Sequence, residues 1–353
     1  MSDKLPENSR AKKQVKRRKK KRIFLYISIP ILIFLLASVT YGYKIYSTAQ
    51  NTVENSYEEV GRENETSELR KDKVNPVEDN VSVLIIGVDD SEERDYDEKS
   101  RSDALILATF NKQEENIKLV SIPRDTYTFV PERNTYTKIN HAHFFGGPKA
   151  TIETVENFLN VPVDYYVRLN FDAFIEVVDS LGGIYFDVPY EMTELDSEDN
   201  EGSIHLEPGY QKLNGEEALA VARTRKYDND IKRGYRQQEI IKAIVKEATS
   251  ASSLLKLENI ITAVGDHMAT NLSFDELKSF ASYGMNTDVD ITSVKLEGSG
   301  GYMDDGLWYY QVDDESKTAI SNELRNHLDL QIQESIETEL SVDDNKEIQP
   351  YTY

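Results

Sequence analysis

Charged residues gather at the ends of three short apolar runs. Asp89 and Asp90 follow VSVLIIGV (Val81 to Val88), Arg101-Ser102-Asp103 precedes Ala104 to Phe110, and Arg124-Asp125 follows Ile117 to Ile122 and Pro123. Runs of that length, rich in Val, Ile and Leu, predict buried strands. If the strands are neighbours, their terminal charges meet at one lip of a sheet, where open α/β sheets bind ligands. Carboxylates from two segments suit a hard divalent cation that keeps several waters and is completed by phosphate oxygens. Arginines beside them suit bidentate recognition of those same oxygens. Taken singly, each charge would serve as well to solvate a loop end.

A second constellation shifts that balance. Residues 223–236 read RTRKYDNDIKRGYR, with six basic side chains (Arg223, Arg225, Lys226, Lys232, Arg233, Arg236) against two acids. The loop lies between two expected helices, so the second can also offer free N–H groups to an anion. A polyphosphate head fits such a site; the plainer alternative is a basic loop balanced by acidic neighbours. His141-Ala142-His143 invites a zinc reading, but His205, His267 and His327 supply no obvious third ligand, and a polar loop at a site rim is the expectation. With no cysteine in 353 residues, disulfides, thiol nucleophiles and Cys-ligated metals are excluded. No Walker loop, HExxH, GxSxG or Ser/His/Asp arrangement stands out.

These residues need elements to position them. Beyond the three strands, the pattern predicts a helix after Pro148 (Ile152, Val155, Phe158, Leu159), a strand Tyr165 to Leu169, and a helix Phe171 to Ser180 stopped by Gly182-Gly183. Asn214 with Glu217 forms a capping-box signature opening a helix to Arg223. A long helix follows Gly234, with Ile240, Ile241, Ile244 and Val245 on its apolar face, and further helices (Phe274 to Tyr283, Asp313 to Leu328) and strands (Ile291 to Leu296, Leu307 to Val312) close the body. The expected fold class is α/β: one domain, residues 81–329, with a mainly β central sheet covered by helices.

Charge is distributed unevenly. The chain has 41 Lys+Arg against 63 Asp+Glu, yet residues 1–22 carry +9, leaving −31 for the rest. Ile23 to Tyr43 is then a run of 21 residues without a charge, about the length that spans the hydrocarbon core of a bilayer. The basic run before it predicts a signal anchor with a cytoplasmic N-terminus and everything after Lys44 outside the membrane, in contact with anionic lipid. Residues 44–80 read as a polar stalk and 330–353 as an acidic, disordered tail. So acidic a body excludes general nucleic-acid binding.

The segments IIGVDD, RSDALIL, SIPRDTY, KIN, VDYYVRLNF, LGGIYFDV, LNGEEALAVARTRKYDND and RQQEII occur in that order between Val81 and Ile244. Together they resemble the LytR-CpsA-Psr family of Gram-positive cell-wall proteins. The resemblance implies a phosphotransferase that moves a polyprenyl-pyrophosphate-linked glycopolymer, such as wall teichoic acid or capsule, onto a peptidoglycan hydroxyl. By matching motif it implies Mg²⁺ on Asp89 and Asp103. It implies phosphate contacts from Arg101, Arg124, Lys138, Arg223, Arg225 and Gln237, and in second rank from Arg233 and Arg236. Asp103 and Arg124 are the expected catalytic pair. Other readings are a regulator acting through cell-wall stress, a non-catalytic lipid-binding sensor, or a pyrophosphatase using water as acceptor.

Overall fold

The computed structural model describes residues 34–62, 65–89, 100–224, 230–248, 265, 267–286 and 290–332. A helix over 34–56 (α1) leads into β1 (Val81–Val88), β2 (Ser102–Asn111), β3 (Asn116–Ser121), the hairpin β4 (Tyr127–Val130) and β5 (Thr135–Lys138), and α2 (His141–Leu159). Next come β6 (Tyr165–Leu169), α3 (Phe171–Leu181), β7 (Ile184–Val188), β8 (Met192–Glu194), β9 (Ile204–Leu206), β10 (Gly209–Leu213), α4 (Gly215–Arg223) and α5 (Asp230–Ala248). The chain continues through β11 (Met268–Thr270), α6 (Phe274–Asn286), β12 (Asp290–Lys295), β13 (Gly298–Tyr302), β14 (Trp308–Val312) and α7 (Asp314–His327).

One six-stranded mixed sheet, in the order β11-β6-β1-β2-β3-β12, forms the centre. β1 runs parallel to β6 and antiparallel to β2, while β3 runs antiparallel to β2 and parallel to β12. The C-terminal ends of β1, β3 and β6 therefore meet the N-terminal end of β2 at one lip. Strands covered on both faces read as continuous apolar runs, as β1 and β2 do. On one face Leu84, Ile86, Leu105 and Leu107 pack with Ile152, Val155 and Leu159 of α2 and with Ile320 and Leu324 of α7. On the other, Ile106 and Leu119 meet Ile241 of α5, and Val83 and Tyr165 meet Leu277 and Phe280 of α6. A second core, built by α3, α4, α5 and the β7–β10 hairpin around Val178, Phe186, Val221 and Ile240, lies beyond α5.

Local chemistry sets the element ends. The capping box of Asn214 and Glu217 is formed, and α3 stops at Gly182 in the left-handed conformation (φ 87°). α2 starts seven residues before Pro148, at His141, and is kinked at Gly146-Gly147. Gly147 adopts φ 61°, and Pro148 then opens the second helical stretch, where its missing N–H leaves no bond unmade. α5 likewise begins at Asp230, before Gly234.

Residues 44–80 are not a stalk over the stretches described. Ala49, Val53 and Ser56 of α1 are buried, Tyr46 meets Phe274 edge-on at 5.2 Å, and Val60 joins the main core. The charges that suggested solvation are paired inside. Arg70 donates from Nε to Asp164 Oδ1 (2.9 Å) and from Nη2 to Oδ2 (2.6 Å), and Arg62 Nη2 lies 3.1 Å from Glu156 Oε2. At the other end Leu330 packs on the main core, so the body runs one residue past Asp329. Among the described residues no helix is long and apolar enough to cross a membrane. Residues 23–33 of the expected span lie outside them, and 34–43 form the start of α1, with Phe34, Leu35, Leu36 and Val39 exposed. The expected tail from 333 onward also lies outside the described residues.

The Arg70–Asp164 pair is nearly dry, with side chains 7% and 3% exposed. Arg70→Ala strands a buried carboxylate and should destabilise the fold by about 3–5 kcal/mol in urea unfolding. A loss below about 1 kcal/mol, the scale of a surface pair, would show that the segment before β1 is not part of the cooperative unit.

Candidate active site at the sheet lip

The β1–β2 ladder pairs Gly87 with Ala104 but Val88 with Ser102, so Asp103 is the extra residue of a bulge. A bulge bends its strand and re-aims the side chain it carries. Asp89 follows directly after β1, one residue beyond the pairing, and is half-buried. The two carboxylates thus come from adjoining strands at one edge.

The turn after β3 is clamped on both sides. Thr126 donates from N (2.9 Å) and Oγ1 (2.6 Å) to the Pro123 carbonyl. Asn140 N donates to Arg124 O (3.2 Å) and Tyr310 N to Asp125 O (2.9 Å). Held this way, Arg124 ion-pairs through Nη1 with Asp103, and its Nε lies 3.7 Å from Asp125 Oδ2. Lys138, at the end of β5, reaches Asp125 Oδ1 at 2.9 Å and lies over the Tyr309 ring at 5.6 Å. Asp103, Arg124, Asp125 and Lys138 form a row of alternating charge. Around it, Ser100 Oγ, Ser102 Oγ, Asn140 Oδ1 and His143 Nε2 are buried with no hydrogen-bond partner among the described residues. Such a concentration of unmet polar atoms among the described residues is unusual in a folded interior.

Arg223 approaches the lip from the opposite side. Its guanidinium lies 4.6 Å from the ring centre of Phe171, the residue that opens α3 just after β6, and its Nη2 is 3.5 Å from Asp199 Oδ1. The last carbonyls of α4, which the helix itself cannot satisfy, receive donors from α5. Arg236 Nε bonds Val221 O (3.0 Å), Arg236 Nη2 bonds Thr224 O (2.6 Å), and Gln237 Nε2 bonds Ala222 O (3.3 Å). Arg236, expected to touch phosphate, is buried and directs Nε and Nη2 to backbone carbonyls at the end of α4. Gln237 does the same with one amide N–H, and Arg233 is buried beside Gly234, which abuts Ser121. Arg101 is exposed just before β2. Asp90 and Arg225 lie outside the described residues.

Two contributors, Asn140 and Arg168, escaped the sequence reading of the site, and Asp125, placed at the lip beside Arg124 by that reading, gains a defined role. Asp125 bridges two cations and is 8% exposed. Asn140 caps the turn. Arg168 of β6, paired with Ile86, is near enough to His143 to disfavour its protonation. The signal for Arg168 was a lone charge late in an otherwise apolar strand. The two histidines of His141-Ala142-His143 have separate Nδ1 partners, Thr137 Oγ1 for His141 (2.9 Å) and the Ser100 carbonyl for His143 (2.7 Å), and neither joins a metal-ligating cluster among the described residues.

The Ser100 bond fixes the proton of His143 on Nδ1 and leaves Nε2 an acceptor. Burial pushes its pKa from 6.5 to about 4, helped by Arg168 and opposed by the Ser100 carbonyl. The unfolded chain therefore binds a proton that the folded one refuses across that window, and stability falls as pH drops from 6.5 toward 4, by about 3 kcal/mol. Denaturant unfolding at pH 7 and 4.5 should show a smaller pH-linked loss for His143→Gln than for wild type. Equal losses would remove His143 from the acid response.

The profile of the LytR_cpsA_psr family matches residues 43–326. An uncharacterized protein of Staphylococcus aureus (strain NCTC 8325 / PS 47) is 43% identical over 309 residues, which is 86% of this chain and 76% of that protein. TagU of Bacillus mycoides (strain KBAB4), a polyisoprenyl-teichoic acid–peptidoglycan teichoic acid transferase, is 34% identical over 313 residues, 88% of this chain and 99% of its own. Among solved structures, TagT bound to LIIa-WTA matches with a TM-score of 0.65 at 34% identity, over 75% of this chain and 97% of that one. The same protein with bound octaprenyl pyrophosphate lipid matches at 0.61 and 32%, again over 75% and 97%. The chain belongs to the LytR_cpsA_psr family.

Proposed function

We propose that the protein transfers a polyprenyl-pyrophosphate-linked anionic glycopolymer onto peptidoglycan. The observation that carries this reading is the row Asp103–Arg124–Asp125–Lys138 at the sheet lip, in a chain alignable over most of its length with a teichoic acid transferase. Attack on a phosphoanhydride asks for charge neutralisation and in-line positioning more than for a covalent nucleophile. In this reading a peptidoglycan hydroxyl oxygen bonds to the phosphorus that carries the sugar. The bridging P–O bond breaks, polyprenyl phosphate leaves, and a phosphodiester remains. Arg124, Lys138 and Arg223 neutralise the phosphate oxygens, the exposed Arg101 extends that field, and Arg225 joins it by its place in the family motif. Asp103 orients the incoming hydroxyl and is the candidate to take its proton.

Asp89 and Asp103 would hold Mg²⁺, which when bound adds positive charge at the pyrophosphate. The donor set fits a hard cation: oxygen only, two carboxylates from adjoining strands, and an unpartnered Ser102 hydroxyl beside them. We further place the chain at the membrane, anchored by Ile23 to Tyr43 with the N-terminus cytoplasmic and the domain outside. The exposed apolar start of α1 supports that placement.

The test uses the full chain in detergent with a polyprenyl-pyrophosphate-linked sugar and peptidoglycan oligomers, following phosphosugar on peptidoglycan by mass spectrometry. Transfer should require Mg²⁺, and Arg124→Ala or Asp103→Ala should lower it about a hundredfold or more with the fold retained. Unchanged transfer in both variants would sink the site. Lipid binding without transfer would favour a sensor, and free sugar phosphate a pyrophosphatase.

A further inference from the structure

The β4–β5 hairpin has one face that its role as a carrier of Lys138 does not explain. Tyr127 pairs with Lys138 and Phe129 with Tyr136, so alternation puts all four side chains on the same side. Tyr127 and Tyr136 stack at 5.6 Å with 30° between their rings, and Phe129 lies 5.4 Å from Tyr136. Tyr309 closes the strip from below, edge-on to Tyr127 at 5.1 Å. Tyr136 is 61% exposed, whereas the opposite face of β4, Thr128 and Val130, is buried. Tyr136 is thus the exposed member of an aromatic cluster in which Tyr127 and Phe129 are partly buried.

We propose that this strip is the acceptor subsite, stacking a pyranose ring of the peptidoglycan glycan strand; the inference rests on the transferase reading above. Aromatic faces carry partial negative charge, and the C–H bonds on one side of a pyranose carry the complementary positive charge. The face is open at Tyr136, whose ring carries a phenol hydroxyl, which suits a ring with equatorial hydroxyls at its rim. A long polyprenyl chain needs enclosure on several sides, and this face offers one. Continuity with the lip supplies the register. Lys138 ends the strip and joins Asp125 at 2.9 Å, which leads through Arg124 to Asp103. A sugar stacked on the exposed Tyr136 ring would direct a hydroxyl along that row toward the phosphorus.

Two readouts on the full chain in detergent test this. In the transfer assay, Tyr136→Ala should raise the KM for peptidoglycan oligosaccharides roughly tenfold, the loss of one well-seated aromatic contact. Its affinity for octaprenyl pyrophosphate and its thermal unfolding should match wild type, and Tyr136→Phe should restore the KM. In saturation-transfer NMR, which needs no turnover, N-acetylglucosaminyl-N-acetylmuramic acid oligomers should receive magnetisation from wild type and lose it with Tyr136→Ala. An unchanged acceptor KM, or weakened octaprenyl pyrophosphate binding in Tyr136→Ala, would overturn the assignment. If wild type gives no transfer, the function proposed above falls, and the NMR result alone decides the subsite: oligomers indifferent to Tyr136 overturn it.

Discussion

Asp125 holds two cations without consuming them. Its carboxylate is nearly buried and lies between Arg124 and Lys138, so each cation has a fixed address while keeping donors in reserve. Without that carboxylate, two positive charges would face each other at a partly dry sheet edge, and both would swing outward to water. Asp103 restrains the other end of Arg124 in the same manner. The row is neutral as a whole, which makes it tolerable in the folded chain.

The surrounding architecture serves that row. The bulge in β2 brings out Asp103 where an unbroken ladder would have kept it in register with β1. The turn after β3 is fastened by α2 on one side and β14 on the other, so a segment more than 180 residues downstream fixes the arginine. From the second core, α5 closes the end of α4 through Arg236 and Gln237 and thereby aims Arg223. A lysine in place of Arg236 could not reproduce this two-carbonyl fork.

Much of this was legible in the residues. The strands, the capping box at Asn214 and the gathering of charge at one lip followed from apolar runs and the punctuation around them. Two kinds of information were not. The first was the fate of charges before Val81: Arg62 and Arg70 look solvated in one dimension because their partners, Glu156 and Asp164, are about 90 residues away. The second was which basic residues in 223–236 face a ligand and which face backbone, since the orphan carbonyls of α4 are a three-dimensional demand. The β4–β5 aromatic face belongs to the same class, because Tyr127, Phe129 and Tyr136 share a side only once the hairpin register is fixed.

The most direct measurement is a crystal structure of the full chain with octaprenyl pyrophosphate and Mg²⁺. Arg124 and Lys138 should turn donors from Asp103 and Asp125 onto phosphate oxygens, with Arg223 closing from the far side and the metal on Asp89 and Asp103. Pyrophosphate bound elsewhere, with the row Asp103–Arg124–Asp125–Lys138 undisturbed, would contradict it.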